Sequence, residues 1–179
     1  DRAGDINSLK SFGLKYRIGL SSIKLKNHDG ASISSTKIRN NLKKGEIKEA
    51  NELLGRPYMI SGLVIEGDKR GRQIGFPTAN VSLGKLIRPA FGVYAVLIEG
   101  IENKVLRGIA NIGRRPTVND RGVLLEVNIF DFNEDIYGKK IFISLIDFIR
   151  DEKKFDGIEN LKKQIVMDVK LSKSIFGNA

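Results

Sequence analysis

The stretch GDKRGRQIGFPTAN, residues 67–80, ends in a hydroxyl and an amide two positions apart, Thr78 and Asn80, behind a proline that fixes the backbone ahead of them. If the segment is extended, both side chains point to one side. A hydroxyl and an amide oxygen so placed suit Mg²⁺ whose remaining ligands are phosphate oxygens and water. Neutral ligands hold the bare ion poorly, so the expected occupant is MgATP rather than Mg²⁺ alone. In the same stretch Gly67, Gly71 and Gly75 recur every four residues, a spacing that lets the backbone reach positive φ and lets amide groups approach a ligand. Lys69, Arg70 and Arg72 set cations beside those amides, and together they suit a polyphosphate. The pattern is not a P-loop: there is no Gly-Lys-Ser/Thr, and a strand rather than a helix is expected next. A basic hairpin with no ligand is the alternative.

Activating a hydroxyl needs a base. The chain has no cysteine and one histidine, His28, which argues against thiolate or histidine metal sites and a Ser-His-Asp triad, and leaves a carboxylate as the base. In VLLEVNIF, alternation puts Val123, Leu125, Val127 and Ile129 on one face and Leu124, Glu126, Asn128 and Phe130 on the other. Glu126 is the best-framed candidate; an exposed strand residue with no catalytic role would look the same.

The elements that must position these groups fall into two parts. Over residues 1–57 the pattern alternates: a short helix in GDINSLKSFG, a strand in KYRIGLSSIKL, a helix in SSTKIRNNLKKG closed by Gly45, and a helix in EIKEANELLG with Ile47, Ala50, Leu53 and Leu54 on one face. That is too little apolar surface for an independent domain. From Tyr58 to Arg150 come about six short runs rich in β-branched and aromatic residues, parted by Gly, Asn and Asp turns, which suggests a small antiparallel barrel. A closing amphipathic helix follows, with Asp156 as its expected N-cap and Ile158, Leu161, Ile165 and Val169 on its face.

With 179 residues, 41% hydrophobic and 29% charged, the chain has an ordinary soluble composition, and no apolar run approaches a bilayer span, so no membrane partner is expected. The acidic, polar start lacks the form of a signal peptide, which makes the cytoplasm the default location. A net charge of +10 favours polyanions such as nucleotide phosphates or nucleic acid.

The segments GDKRGRQIGFPTAN, GVYAV, GIANIGRRPT, LEVNIFDFNEDIYGKKI and FIRDEKKFDGIENLKKQI, in that order, resemble the riboflavin kinase module of bacterial bifunctional riboflavin kinase/FMN adenylyltransferases. The resemblance implies a mainly β fold with α: a six-stranded antiparallel, Greek-key-like barrel with a C-terminal helix, over residues 58–179. It implies transfer of the ATP γ-phosphoryl group to the 5′-hydroxyl of riboflavin, with Mg²⁺ entering alongside ATP and FMN as product. It casts Thr78 and Asn80 as metal and ATP ligands, Gly67, Lys69, Arg70, Gly71 and Arg72 as the phosphate loop, and Glu126 as general base. Asn111, Arg114, Arg115 and Thr117 resemble a mobile loop over the flavin, and Arg150 and Phe155 a segment near the isoalloxazine ring.

Residues 1–57 look like the end of an adenylyltransferase domain, a partial α/β nucleotidyltransferase segment in which Ser34, Ser35, Thr36 and Arg39 of ISSTKIR resemble a nucleotide-binding motif. The His-x-Gly-His-type motif of that activity is missing, so FAD synthesis is not expected, and the sequence looks like a C-terminal piece. The rival reading is a basic barrel binding nucleic acid through Lys69, Arg70, Arg72, Arg114 and Arg115. Few aromatics interleave with those cations, so no nucleic-acid partner is expected.

Overall fold

The computed structural model describes residues 5–22, 27–28, 31–67, 70–84, 86–114 and 123–177, with the backbone alone at 28, 31, 70 and 114. The chain divides into two compact units, Asp1–Ile33 and Ser34–Ala179. The first holds helix α1 (Ile6–Tyr16) and a two-residue hairpin of β1 (Asn27–His28) and β2 (Ala31–Ser32). The expected strand at 15–25 is not formed over residues 17–22. Instead α1 runs through Gly13, Arg17 caps it in the left-handed region, and the chain turns back so that Ile18 N donates to Gly13 O at 2.9 Å. Gly13 therefore serves a close approach rather than a helix end.

In the second unit, helices α2 (Ser35–Lys44) and α3 (Ile47–Leu54) have the expected limits, Ser34 capping the first and Gly45 and Gly55 closing both in the left-handed conformation. The barrel strands are β3 (Tyr58–Ile65), β4 (Ala79–Ser82), β5 (Gly92–Glu99), β6 (Leu106–Arg114), β7 (Val123–Ile129) and β8 (Lys140–Asp151), with the four-residue turn α4 (Arg70–Gln73) between β3 and β4. All pairs are antiparallel, and the ring closes in the order β3-β4-β7-β6-β5-β8. Strands β5, β6 and β7 form a meander and β8 returns beside β5, which is a Greek key.

Alternation decides what lies inside. Ile60, Val81, Tyr94, Val96, Ala110, Ile112, Leu125, Val127, Ile141, Ile143 and Leu145 fill the barrel. Leu42, Ile47 and Ala50 of α2 and α3 join this same core, and three polar contacts fix them. Asn51 donates to Leu145 O (2.9 Å), Tyr58 N donates to Asn51 Oδ1 (2.7 Å) and Ala90 N donates to Leu42 O (2.9 Å). The two helices thus pack as part of the barrel unit.

Helix α5 (Ile158–Gly177) lies on the outer surface against β5, β6 and β8. Its inner face is the expected one with polar residues set into it: Leu161, Ile165 and Val169 are half-buried beside the buried Asp168, Ser172 and Phe176, and Ile158 at the first turn is exposed. Ser172 donates to Gly108 O at 3.1 Å, and Asp168 takes Arg150 of β8 in a bidentate pair. The helix begins at Ile158 with Leu161 N donating to Gly157 O (3.4 Å), so Gly157 rather than Asp156 stands at the cap position.

Candidate functional site

The outward face of the barrel carries a polar row. The register sets Asn80 of β4 opposite Glu126 of β7, Glu126 opposite Asn111 of β6, Asn111 opposite Val93 of β5, and Val93 opposite Arg150 of β8. Partners facing each other on one side of an antiparallel sheet have Cβ atoms about 4.5–5.5 Å apart. Asn80, Glu126 and Asn111 are therefore immediate neighbours, reached from three strands that are far apart in sequence. Glu126 and Asn111 are half-buried and Asn80 is buried.

Asn80 is the least satisfied polar side chain of this group. It is 4% exposed, its Nδ2 makes one long contact to Thr78 O (3.5 Å), and its Oδ1 finds no hydrogen-bond partner among the described residues. Leaving a buried acceptor unmade costs about 1–3 kcal/mol. A cation could satisfy such an oxygen, and a hydroxyl two residues before it in the chain, on Thr78, makes a neutral oxygen donor set whose chemistry fits Mg²⁺ bound mainly through phosphate and water. No cluster of three or more His, Cys, Asp or Glu residues suited to a metal occurs among the described residues.

The glycines do a different job from the one their spacing suggests. Of the three, Gly75 alone takes positive φ (88°). A Cβ on Gly67 would collide with the Asn80 amide, and a Cβ on Gly71 with the Phe76 carbonyl oxygen, with Thr78 Oγ1 only 3.4 Å away. Gly67 and Gly71 thus let the loop lie directly on the PTAN segment. Between them, Arg70–Gln73 winds one helical turn, closed by Phe76 N donating to Gly71 O (2.8 Å). Arg72 follows on that turn; Lys69 and the Arg70 side chain lie outside the described residues.

Asn128, which the sequence placed on the Glu126 face without a role, donates to Pro77 O at 2.8 Å and clamps the PTAN segment to β7. A second feature was missed: a cavity beside Thr78 lined by Arg72, Val64, Phe132, Glu134, Ile136 and Tyr137. Residues 132–137 leave β7 directly, so the strand that carries Glu126 also delivers one wall of the cavity. The apolar Phe132, Ile136 and Tyr137 flanking the polar Asn133–Asp135 in DFNEDIY were its only trace in sequence.

Toward the other end of the row, Arg150 is committed. Its Nε donates to Asp168 Oδ1 and Oδ2 (3.0 and 2.9 Å), Nη2 to Oδ2 (2.7 Å) and Nη1 to Asp151 O (2.8 Å), while Gln164 Nε2 donates to Asp168 Oδ1 (2.8 Å). Its guanidinium carbon also sits 5.7 Å from the Phe155 ring centre. Arg115 and Thr117, with the Arg114 side chain, lie outside the described residues. Among the nucleotidyltransferase-like residues, Ser34 accepts from Lys37 N (3.2 Å) and Ser35 Oγ accepts from Arg39 Nη2 (2.6 Å); Thr36 is exposed on the first turn of α2.

A family model described as Flavokinase, riboflavin kinase, matches residues 54–176. The chain belongs to the riboflavin kinase family. Curated relatives include bifunctional riboflavin kinase/FMN adenylyltransferases of Haemophilus influenzae (45% identical, covering 84% of this chain and 49% of that protein) and Escherichia coli K12 (42%, 98% and 56%). That of Bacillus subtilis is 48% identical over 82% of this chain and 47% of its own. The chain thus spans about half the length of the curated relatives it matches. A Streptococcus pneumoniae protein solved under the name macrolide-efflux protein superposes with a TM-score of 0.80 at 38% identity, covering 93% of this chain and 54% of that one. Riboflavin kinase from Trypanosoma brucei shares the barrel fold (TM-score 0.50, 23% identity, 68% and 80% covered). No helix among the described residues is long and apolar enough to cross a membrane.

Proposed function

We propose that this riboflavin kinase family member transfers the γ-phosphoryl group of ATP to the 5′-hydroxyl of riboflavin, giving FMN and ADP. The observation that carries the reading is the cross-strand pair of Asn80 and Glu126, which sets an unsatisfied amide oxygen beside a half-buried carboxylate. Phosphoryl transfer asks a protein chiefly for alignment and charge stabilisation. Thr78 and Asn80 would hold Mg²⁺, which when bound neutralises the phosphate oxygens. The backbone at Gly67 and Gly71, with Lys69, Arg70 and Arg72, cradles the same phosphates. The cavity along residues 132–137, apolar at Phe132, Ile136 and Tyr137, suits the nucleoside. Glu126 orients the 5′-hydroxyl and accepts its proton as the oxygen attacks phosphorus.

The flavin lies on the far side of Glu126 from Asn80 in this reading, contacting residues of the Asn111–Thr117 segment, Arg114 and Arg115 among them. Phe155 offers a ring for the isoalloxazine and Arg150 supports that ring from behind. We assign 1–57 by descent to the end of an adenylyltransferase domain, and because the residues given hold no His-x-Gly-His-type motif to complete the Ser34–Arg39 half-site, FAD is not an expected product. Incubation with riboflavin and MgATP, with chromatographic separation of riboflavin, FMN and FAD, tests both statements: FMN should accumulate and FAD should not. No FMN from folded protein at saturating magnesium overturns the kinase reading.

A further inference from the structure

We propose that Glu152 is a specificity-determining residue that accepts a hydrogen bond from a secondary hydroxyl of the ribityl chain; the inference deepens the kinase reading above and rests on it. Strand β8 runs beside β5, with Arg150 opposite Val93 and Asp151 opposite Gly92, and Glu152 follows where β8 ends. From there its side chain crosses β5 and lies on Gly113 of β6. A Cβ added to Gly113 would lie 2.6 Å from Glu152 Oε1 and 3.1 Å from Asn111 Nδ2. The glycine thus leaves a patch of bare backbone on the outward face, with a carboxylate oxygen and an amide nitrogen over it. Glu152 is exposed and has no hydrogen-bond or ion-pair partner among the described residues. An ionised carboxylate only accepts hydrogen bonds, an amide N–H only donates them, and a hydroxyl does both. A chain of adjacent hydroxyls therefore serves both groups at once. Position agrees with that chemistry: Asn111 is the partner of Glu126 across the β6–β7 pair, and Gly113 is its diagonal neighbour, about 7–8 Å away. With the reacting 5′-hydroxyl at Glu126 and the flavin on the 111–117 side, the secondary hydroxyls pass Asn111 and Gly113.

The test compares riboflavin with an analogue carrying an ω-hydroxypentyl chain, which keeps the terminal hydroxyl and lacks the others. The parent chain should prefer riboflavin in kcat/KM by about tenfold or more, the order expected when a site built to bind a hydroxyl meets a substrate without it. Glu152→Ala should lose about tenfold on riboflavin and nothing on the analogue, so that the preference disappears, with KM for MgATP unchanged. Gly113→Ala, in ordinary strand backbone, should push the carboxylate aside and lose at least as much on riboflavin. The double variant should then be no worse than Gly113→Ala alone. Lumiflavin, the ring system without a hydroxylated chain, should inhibit the parent and Glu152→Ala equally. Melting temperatures check folding, and Glu152→Ala, at an exposed position, decides alone if Gly113→Ala does not fold. A preference kept by Glu152→Ala would remove Glu152 from the site, and weaker inhibition of that variant by lumiflavin would move its contact to the ring; either overturns the inference. If the parent makes no FMN, the kinase reading fails and takes the inference with it. If the parent makes FMN but uses both alcohols equally, only the inference fails.

Discussion

The row that crosses the outer barrel face ends in two polar groups built on opposite terms. At Arg150, every charge is answered: its side chain is 15% exposed and that of Asp168 4%, and each charged group has several hydrogen bonds. At Asn80, an equally buried oxygen has none among the described residues. Burial without partners is unfavourable in itself, and it is tolerated where a ligand later supplies the partner. The saturated end holds α5 to the barrel, and the orphaned oxygen lies at the end proposed above to bind MgATP.

Four substitutions test this contrast, in order of expected effect. Asp168→Ala strands a buried arginine and should lower stability by about 3–5 kcal/mol, read by denaturant unfolding. A small loss would mean that Arg150 reaches solvent once freed and that α5 is held by its apolar contacts. Asn80→Leu works in the other direction: with the unsatisfied acceptor gone, the ligand-free protein should gain up to about 1–3 kcal/mol while MgATP ceases to raise its melting temperature. A destabilised Asn80→Leu protein would show that the oxygen already has a partner.

Thr78→Ala should leave stability near parental and raise the magnesium concentration for half-maximal activity by about tenfold or more, a change of about 1.4 kcal/mol in the cation's hold. An unchanged magnesium dependence would remove Thr78 from the ligand set. The smallest effect belongs to a second ion pair, Lys48 of α3 with Asp147 of β8 at 2.8 Å, whose lysine is 67% exposed. Lys48→Met should cost less than about 1 kcal/mol, as exposed pairs do. The Asp147 carboxylate, by hydrogen bond and charge, holds the Lys48 ammonium above its usual 10.5. Its stabilisation is therefore complete below pH 10.5 and disappears as the pH rises through the folded value. A loss as large as that of Asp168→Ala would break the rule that burial sets the scale.

The barrel was legible because its strands alternate cleanly: in β7 the inward set Leu125, Val127 and Ile129 and the outward set Glu126 and Asn128 fall where the pattern puts them. What sequence concealed was tertiary. Period-two reading cannot show that Asn80, Glu126 and Asn111 share a row, since register is a property of paired strands. The apolar pattern of α5 found its inner face, but Asp168 and Ser172, which lie in that face, look like solvent-facing positions until Arg150 and Gly108 O are brought to them. The glycines of the loop were read as conformational freedom, and only Gly75 uses it; Gly67 and Gly71 are narrow because the chain presses on itself there. At 17–22, alternation of Ile18 and Leu20 imitated a strand, with no strand among the described residues to pair it.

The closed ring has a consequence for how the molecule assembles. Its seam joins β3 to β8, pairing Tyr58 with Leu145 and Leu63 with Lys140, the first and last strands of the barrel. Contacts between residues so remote in sequence carry the largest loop-closure entropy and slow folding most. Until β8 is in place, the outer edges of β3 and β5 are bare and able to pair with another chain. Strand β8 pairs with both, so the finished ring leaves neither edge open to another chain.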